Sequence, residues 1–236
     1  MDFSITEDQT MLQDSVSRFI QNDYDFDMRQ KNAATSQGFS TELWQSFAEL
    51  GWTAVPFAEA DGGLDGGATE LMLMMEQFGK GLVIEPYLPC IVMAGGVLKR
   101  LASDAQKQTW LGEIIEGSKL AALAFVEPQS RFDLHDVKLT ASKDGDGYVL
   151  NGAKTVVLNG ASADTLVVSA RSSGDRKDED GISLFVLAAD SDGISRKGYP
   201  TVDARQAAEI TFDSVRVSAD QLLGDAGDGL ATLRAV

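Results

Sequence analysis

The chain has 236 residues, 44% of them hydrophobic, which is enough for two modest domains with cores of their own. Its 20 basic residues face 36 acidic ones, for a net charge of −16 spread over both halves, which argues against a nucleic-acid partner. The single cysteine, Cys90, excludes an intrachain disulfide and a cysteine metal cluster, so a reducing, cytoplasmic setting is expected. No apolar run reaches the ~18 residues that span a bilayer, and Met1-Asp2-Phe3-Ser4 lacks the basic start of a secretory leader.

Residues 7–21 carry Met11, Leu12, Ser15, Val16, Phe19 and Ile20 on one face of a helix. Asp23, Asp25 and Asp27 read as a solvated turn. Ser40 caps a second helix with the stripe Leu43, Trp44, Phe47, Leu50 and with Gly51 just past its end. Trp44 and Trp52 read as core. The run Gly62-Gly63-Leu64-Asp65-Gly66-Gly67 is followed by no Lys-Ser/Thr, so it reads as a flexible turn before a helix rather than a phosphate loop. Leu71 to Met75 is apolar nearly all round and predicts a buried helix. Its methionines suit core packing first and an acyl cavity second. Pro86 and Pro89 bracket a break before an apolar helix over 88–101, in which Gly95-Gly96 implies close approach by a neighbour. Ser103 and Gln106 form a capping box for a helix carrying Trp110, Leu111, Ile114 and Ile115, ended by Gly117.

At Lys119 the period changes from helical to strand-like. The run Leu120–Val126 should stop as a strand at Glu127-Pro128, because proline has no N–H for a ladder. Further strands are expected at 137–142, 148–151, 155–158, 165–170, 182–188 and 209–217. Asp144-Gly145-Asp146-Gly147, Asn151-Gly152 and Asn159-Gly160 supply the positive φ of tight hairpins, which points to an antiparallel module. Ser172 to Asp180 reads as a charged, mobile connection without chemistry. Past Leu222 a short helix begins that has little to bury by itself. The expected fold is α+β: an all-helical domain over 1–118, an antiparallel β-barrel or sandwich over 119–222, and the start of a second helical domain over 223–236.

Glu127-Pro128, the Asp-Gly hairpin, Tyr148-Val149-Leu150-Asn151-Gly152-x-Lys154 and Asn159-Gly160-x-x-x-Asp164 resemble the middle domain of the acyl-CoA dehydrogenase family. The segments 127–134, 152–158 and 196–201 are similar to the small-subunit type of pimeloyl-CoA dehydrogenase, and the likeness runs over essentially all 236 residues. The resemblance implies an FAD enzyme in which a carboxylate removes the α-proton of a fatty or dicarboxyl acyl-CoA while the β-hydride passes to flavin N5. It also implies an electron-transfer flavoprotein or similar acceptor, and a homo- or hetero-oligomer with another subunit of the family. The base is expected beyond Val236, so no catalytic residue is assigned within the chain and residues 1–236 alone should be inactive. Glu127 is declined as a replacement because its Glu-Pro setting resembles a structural position.

The implied flavin contacts are Phe125 and Val126 by backbone N–H to the pyrimidine, Arg131 and Phe132 near the pyrophosphate, and Val156, Val157 and Leu158 against the ring. Here the sequence departs from the family. Val126 stands for a Thr, Arg131-Phe132-Asp133 for a Gly-Ser-Asp, and Val156-Val157-Leu158 for an aromatic–Ile–Ser/Thr. An arginine contact could offset the lost serine, since guanidinium–phosphate bonds are about twice as strong as neutral ones. Three readings follow: a dehydrogenase component that keeps FAD, a flavin-poor partner of a catalytic homologue, or a relative that turns the flavin to oxygen chemistry. The lone His135 has no second ligand and suits neither a metal nor a triad. Arg205 and Tyr199 read as a surface pair before a coenzyme A contact, and Lys154 as a surface residue flanking a hairpin.

Overall fold

The computed structural model describes residues 4–236; Met1-Asp2-Phe3 lie outside them. Contacts divide the chain between Glu85 and Pro86 into two compact units.

The first unit is helical. Helix α1 (Glu7–Asp23) starts from a capping box in which Thr6 and Gln9 exchange side-chain and backbone hydrogen bonds. Val16 is fully buried, whereas Met11, placed by periodicity on the apolar face, is exposed. The acidic stretch expected as a turn instead caps a helix: the Asp25 carboxylate accepts from Met28 N–H at 2.7 Å and opens α2 (Phe26–Ala33). Ser40 caps α3 (Thr41–Glu49), and Gly51 at φ 76° takes the left-handed position past its end. Trp44, Phe47, Trp52 and Phe78 form the centre of this core, with Phe47 and Phe78 stacked at 5.2 Å. The glycine run is not a loose turn. Backbone N–H groups of Gly63, Leu64, Asp65 and Gly66 bond to the carbonyls of Ala58, Ala54, Phe57 and Val55, and a Cβ on Gly63 would lie 2.1 Å from Phe57 O. Helix α4 (Ala68–Gly81) buries Leu73, Met74, Gln77 and Phe78 but exposes Met72, so it is one-sided rather than apolar all round.

The second unit begins with a π-helical segment, Leu88–Ala94, running into α5 (Gly95–Leu101). The Ser103–Gln106 box caps α6 (Asp104–Gln106), and after a wide turn α7 (Gly112–Ile115) buries Ile114 and Ile115. One mixed sheet then carries β1 (Ala121–Ala124), β2 (Thr140–Asp144), β3 (Gly147–Leu158), β4 (Thr165–Arg171), β5 (Ile182–Ala188), β6 (Ile194–Pro200), β7 (Gln206–Val217) and β8 (Leu222–Leu223). Their order is β6-β7-β3-β2-β4-β5-β8. Neighbours are mostly antiparallel, but β1 runs parallel to β4 from Ala121↔Thr165 to Ala124↔Val168, an arrangement that hairpin signals could not reveal.

One of the three hairpin signals holds as a hairpin: Asp144 to Gly147 turns β2 into β3. Asn159-Gly160 ends β3, but the chain after it crosses to β4, which does not pair with β3. At Asn151-Gly152 the chain does not turn: β3 continues through a register shift against β7. Gly152 sits at φ 144°, where a Cβ would be 2.8 Å from Leu139 Cα. Strand β6 lies outside the strands that the alternation predicts, and its segment 196–201 is marked in the sequence only by the resemblance. The connection over 172–180 is tied down rather than mobile: Arg176 pairs with Asp136, Glu179 with Arg234, and Arg171 donates to Asp180 O. Helix α8 (Gly229–Ala235) buries Leu230 and Leu233 and so is better anchored than its length suggested. Val236 fills the close approach expected at Gly96, where an added Cβ would meet its Cγ1 at 3.2 Å. No helix among the described residues is long and apolar enough to cross a membrane.

Candidate functional site

Strand β1 is buried at all four positions, and its chain leaves the sheet at Phe125. Two consecutive residues of β3 hold the two carbonyls that follow. Lys154 Nζ lies 3.4 Å from Phe125 O, and Thr155 N–H donates to Val126 O at 2.9 Å. Glu127 N–H then donates to Ser130 Oγ at 3.0 Å. The N–H groups of Phe125 and Val126 themselves meet no protein acceptor among the described residues. Both residues are half-buried, so two backbone donors on adjacent residues are left without a protein acceptor just past the end of a strand.

Behind them lies a buried ion pair. Lys154 is 0% exposed and Glu127 2% exposed, with Nζ to Oε1 at 2.8 Å. The surface position expected for Lys154 is therefore wrong. The alternation that buries Tyr148 and Leu150 breaks at the register shift by Gly152, which is exposed, so the inward position of Lys154 had no clear signal in the strand. The ammonium also donates to Ser169 Oγ at 2.9 Å. Glu127 is saturated: Oε1 accepts from Lys154 and from Leu139 N–H at 3.0 Å, Oε2 from Gln129 at 2.7 Å and Lys138 N–H at 2.8 Å. Burial opposes its charge, but Lys154 and these donors hold the carboxyl below its ordinary range. Burial pushes Lys154 down against the pull of Glu127. A carboxylate with all these donors is fixed in place and has no free lone pair aimed at a substrate proton.

The three β3 residues read as ring contacts separate. Between Lys154 and Val157 the register against β7 slips again, and Val156 takes φ 50° with its side chain 46% exposed. A β-branched residue in the left-handed region is costly, about 1–2 kcal/mol, and nothing in the sequence signals it. Thr155 Oγ1 and Tyr199 OH both donate to Glu209 Oε1, at 2.6 and 3.1 Å. Val157 is buried in the sheet core, while Leu158 is half-buried. Arg131, at φ 51°, is exposed and has no anionic partner among the described residues; Phe132 is 100% exposed.

The remaining candidates have structural partners. His135 Nδ1 lies 2.7 Å from Asp133, and Arg205 lies 3.7 Å from Asp203. Asp136 binds Arg176 through two nitrogens at 2.5 and 2.6 Å, which lowers its carboxyl to about 2. Burial pushes the Cys90 thiol up to about 12, and its sulfur accepts from Ala121 N–H, so it is an inert core residue.

Two family models match the chain: acyl-CoA dehydrogenase, N-terminal domain, over residues 6–118, and acyl-CoA dehydrogenase, middle domain, over residues 122–215. The probable acyl-CoA dehydrogenase YngJ of Bacillus subtilis is 28% identical over 97% of this chain and 61% of its own length. Among solved structures, the FAD complex of PigA superposes with a TM-score of 0.89 at 28% identity, covering 100% of this chain and 62% of that one. Butyryl-CoA dehydrogenase from Megasphaera elsdenii gives 0.88 at 26% identity, with 98% and 62% covered. The chain thus spans about 60% of the length of the relatives it matches.

Proposed function

The chain belongs to the acyl-CoA dehydrogenase family, of which it carries the N-terminal and middle domains, and we propose that in the whole protein it forms the flavin-holding part of an FAD-dependent acyl-CoA dehydrogenase. The observation that carries this reading is the pair of acceptor-free N–H groups of Phe125 and Val126 at the end of β1. The residues present fit the cofactor at its two polar ends. The two acceptor-free N–H groups on adjacent residues can meet the acceptor edge of a flavin pyrimidine, and the guanidinium of Arg131, without an anionic partner among the described residues, can meet a pyrophosphate. The likeness to the FAD complex of PigA supports the same assignment. Bound FAD would supply a hydride acceptor for a β-carbon.

The chain's own residues orient that group and shield it. Phe125 and Val126 would hold its polar edge, and the exposed Val156 and Phe132 with the half-buried Leu158 are the apolar side chains that would cover it. The reaction is α,β-desaturation of a fatty or dicarboxyl acyl-CoA. Glu127, the carboxylate beside Phe125 and Val126, is saturated and so does not take the α-proton, and the base is expected from polypeptide outside residues 1–236. An electron-transfer flavoprotein or similar acceptor then takes the electrons, in an oligomer of family subunits working in the cytoplasm. The test is oxidation of acyl-CoA with a dye acceptor. Turnover is expected from the whole protein and not from residues 1–236; a whole protein that holds FAD yet oxidises no acyl-CoA would overturn the desaturation assignment.

A second reading is a flavin-poor partner of a catalytic homologue. It is favoured by Leu158 and Val156, which bring neither hydroxyl nor aromatic ring to the face. A purified whole protein that is colourless and takes up no FAD would select it.

A further inference from the structure

Lys154 and Thr155 clamp the two successive carbonyls of Phe125 and Val126. One trans peptide group contains both Phe125 C=O and Val126 N–H, and no cis peptide occurs among the described residues. In a trans amide the C=O and N–H bonds point in opposite directions, so their dipoles add and what binds at the oxygen is felt at the N–H. Lys154 Nζ faces the carbonyl end from a site with no solvent exposure, and Thr155 N–H pins the next carbonyl from the adjacent β3 position. Glu127 and Ser169 hold the ammonium itself. A buried cation at a carbonyl polarises the whole amide, which makes its N–H a stronger donor, and the low dielectric around it enlarges the effect.

We propose that Lys154 is a positioning residue: through Phe125 C=O it fixes the Phe125–Val126 peptide, and it directs and strengthens Val126 N–H as the donor to the acceptor edge of the flavin. This role rests on the FAD reading above and deepens it. It separates two functions of the ion pair. Glu127 balances the charge of Lys154 within the core, whereas Lys154 alone touches the peptide that faces the cofactor. A purely structural pair would make the two residues equivalent at the flavin; the clamp makes them unequal.

The test uses the whole protein with FAD as the probe. Lys154→Met is expected to raise the FAD dissociation constant about tenfold, the weight of one weakened hydrogen bond. It should also shift the midpoint potential of bound FAD to more negative values, because a donor to the electron-rich edge is weakened. The Raman stretch of the pyrimidine carbonyl should move to higher wavenumber. Glu127→Gln removes the carboxylate that favours the Lys154 ammonium. Potential and stretch are then expected to keep their wild-type values at low pH, where the ammonium persists, and to move toward the Lys154→Met values as pH rises and Lys154 loses its proton. If Lys154→Met does not fold by circular dichroism, the double variant Lys154→Met/Glu127→Gln, which leaves no unpaired buried charge, takes its place with the same expected shifts. A folded variant lacking Lys154 that keeps wild-type affinity, potential and stretch overturns the inference while FAD binding stands. A wild-type protein that binds no FAD overturns both.

Discussion

The chain contains two Glu-Pro pairs, Glu85-Pro86 at the end of the helical unit and Glu127-Pro128 after β1, and the two glutamates are almost equally buried at 4% and 2% exposure. Their electrostatic fates are opposite. Glu85 takes hydrogen bonds from Tyr24 OH at 2.8 Å and Ser40 N–H at 3.4 Å and has no ion pair among the described residues, so burial raises its carboxyl. Glu127 faces the Lys154 ammonium, which holds it low despite comparable burial. The difference teaches that burial alone does not set the charge of an acid. The partner supplied by a distant stretch of chain does, and here only one of the two sites was given a cation.

Substitutions can break this contrast in a graded way. The largest effect is expected at Lys154. Replacing it with Met leaves Glu127 charged and unpaired in the core and should cost about 3–5 kcal/mol by denaturant unfolding, whereas a surface lysine would cost almost nothing. Next comes Tyr24→Phe. It removes the donor to Glu85 and also the acceptor for Ile84 N–H at 3.0 Å, for an expected loss of about 1–3 kcal/mol in thermal unfolding.

The pH dependence separates the two acids by sign. Glu85 is raised, so between its ordinary and raised values the folded state holds a proton that the unfolded state has released. Stability therefore falls as pH rises through that window. Glu127 is lowered, so its contribution is fully present above the ordinary carboxyl range and is lost as pH falls through the lowered value. Glu85→Gln should remove the first slope and Glu127→Gln the second, each by up to about 1.4 kcal/mol per pH unit, read from unfolding curves across pH 3–7. Matching slopes for the two variants would erase the contrast. The smallest effect belongs to Val156→Gly. Relief of the left-handed strain offsets the lost side chain, and the net change should stay within about 1 kcal/mol. Val149→Gly, in the same strand and without positive φ, should cost more.

Much of the architecture was legible because periodicity reports which face of an element is buried. Thr165 to Ala170 and Ile182 to Ala188 are near-continuous apolar runs, and both are strands at almost those bounds. Ser40 and Gly51 marked the two ends of α3 for stereochemical reasons that hold locally. What escaped was whatever depends on distant chain. Asn151-Gly152 looks like a hairpin until β7 pairs straight past it, whereas the Asp25 cap on Met28 N–H is local and was hidden only by the run of acids around it. At the site, the departures of Val126, Val156 and Leu158 from the family pattern were plain in the sequence. The role of Lys154 was not, because a lysine is surface by default and only Glu127, 27 residues away, makes its burial tolerable. The left-handed backbone at Val156 had no signal at all, since glycine and asparagine announce that conformation and valine does not.

The presentation of Phe125 and Val126 N–H to a flavin is the claim on which the enzyme assignment and the role of Lys154 both stand. Titration of FAD into flavin-stripped whole protein, followed by quenching of the isoalloxazine fluorescence, tests it most directly. Saturable, stoichiometric uptake is the expected result. Fluorescence that matches free FAD at every protein concentration would contradict it.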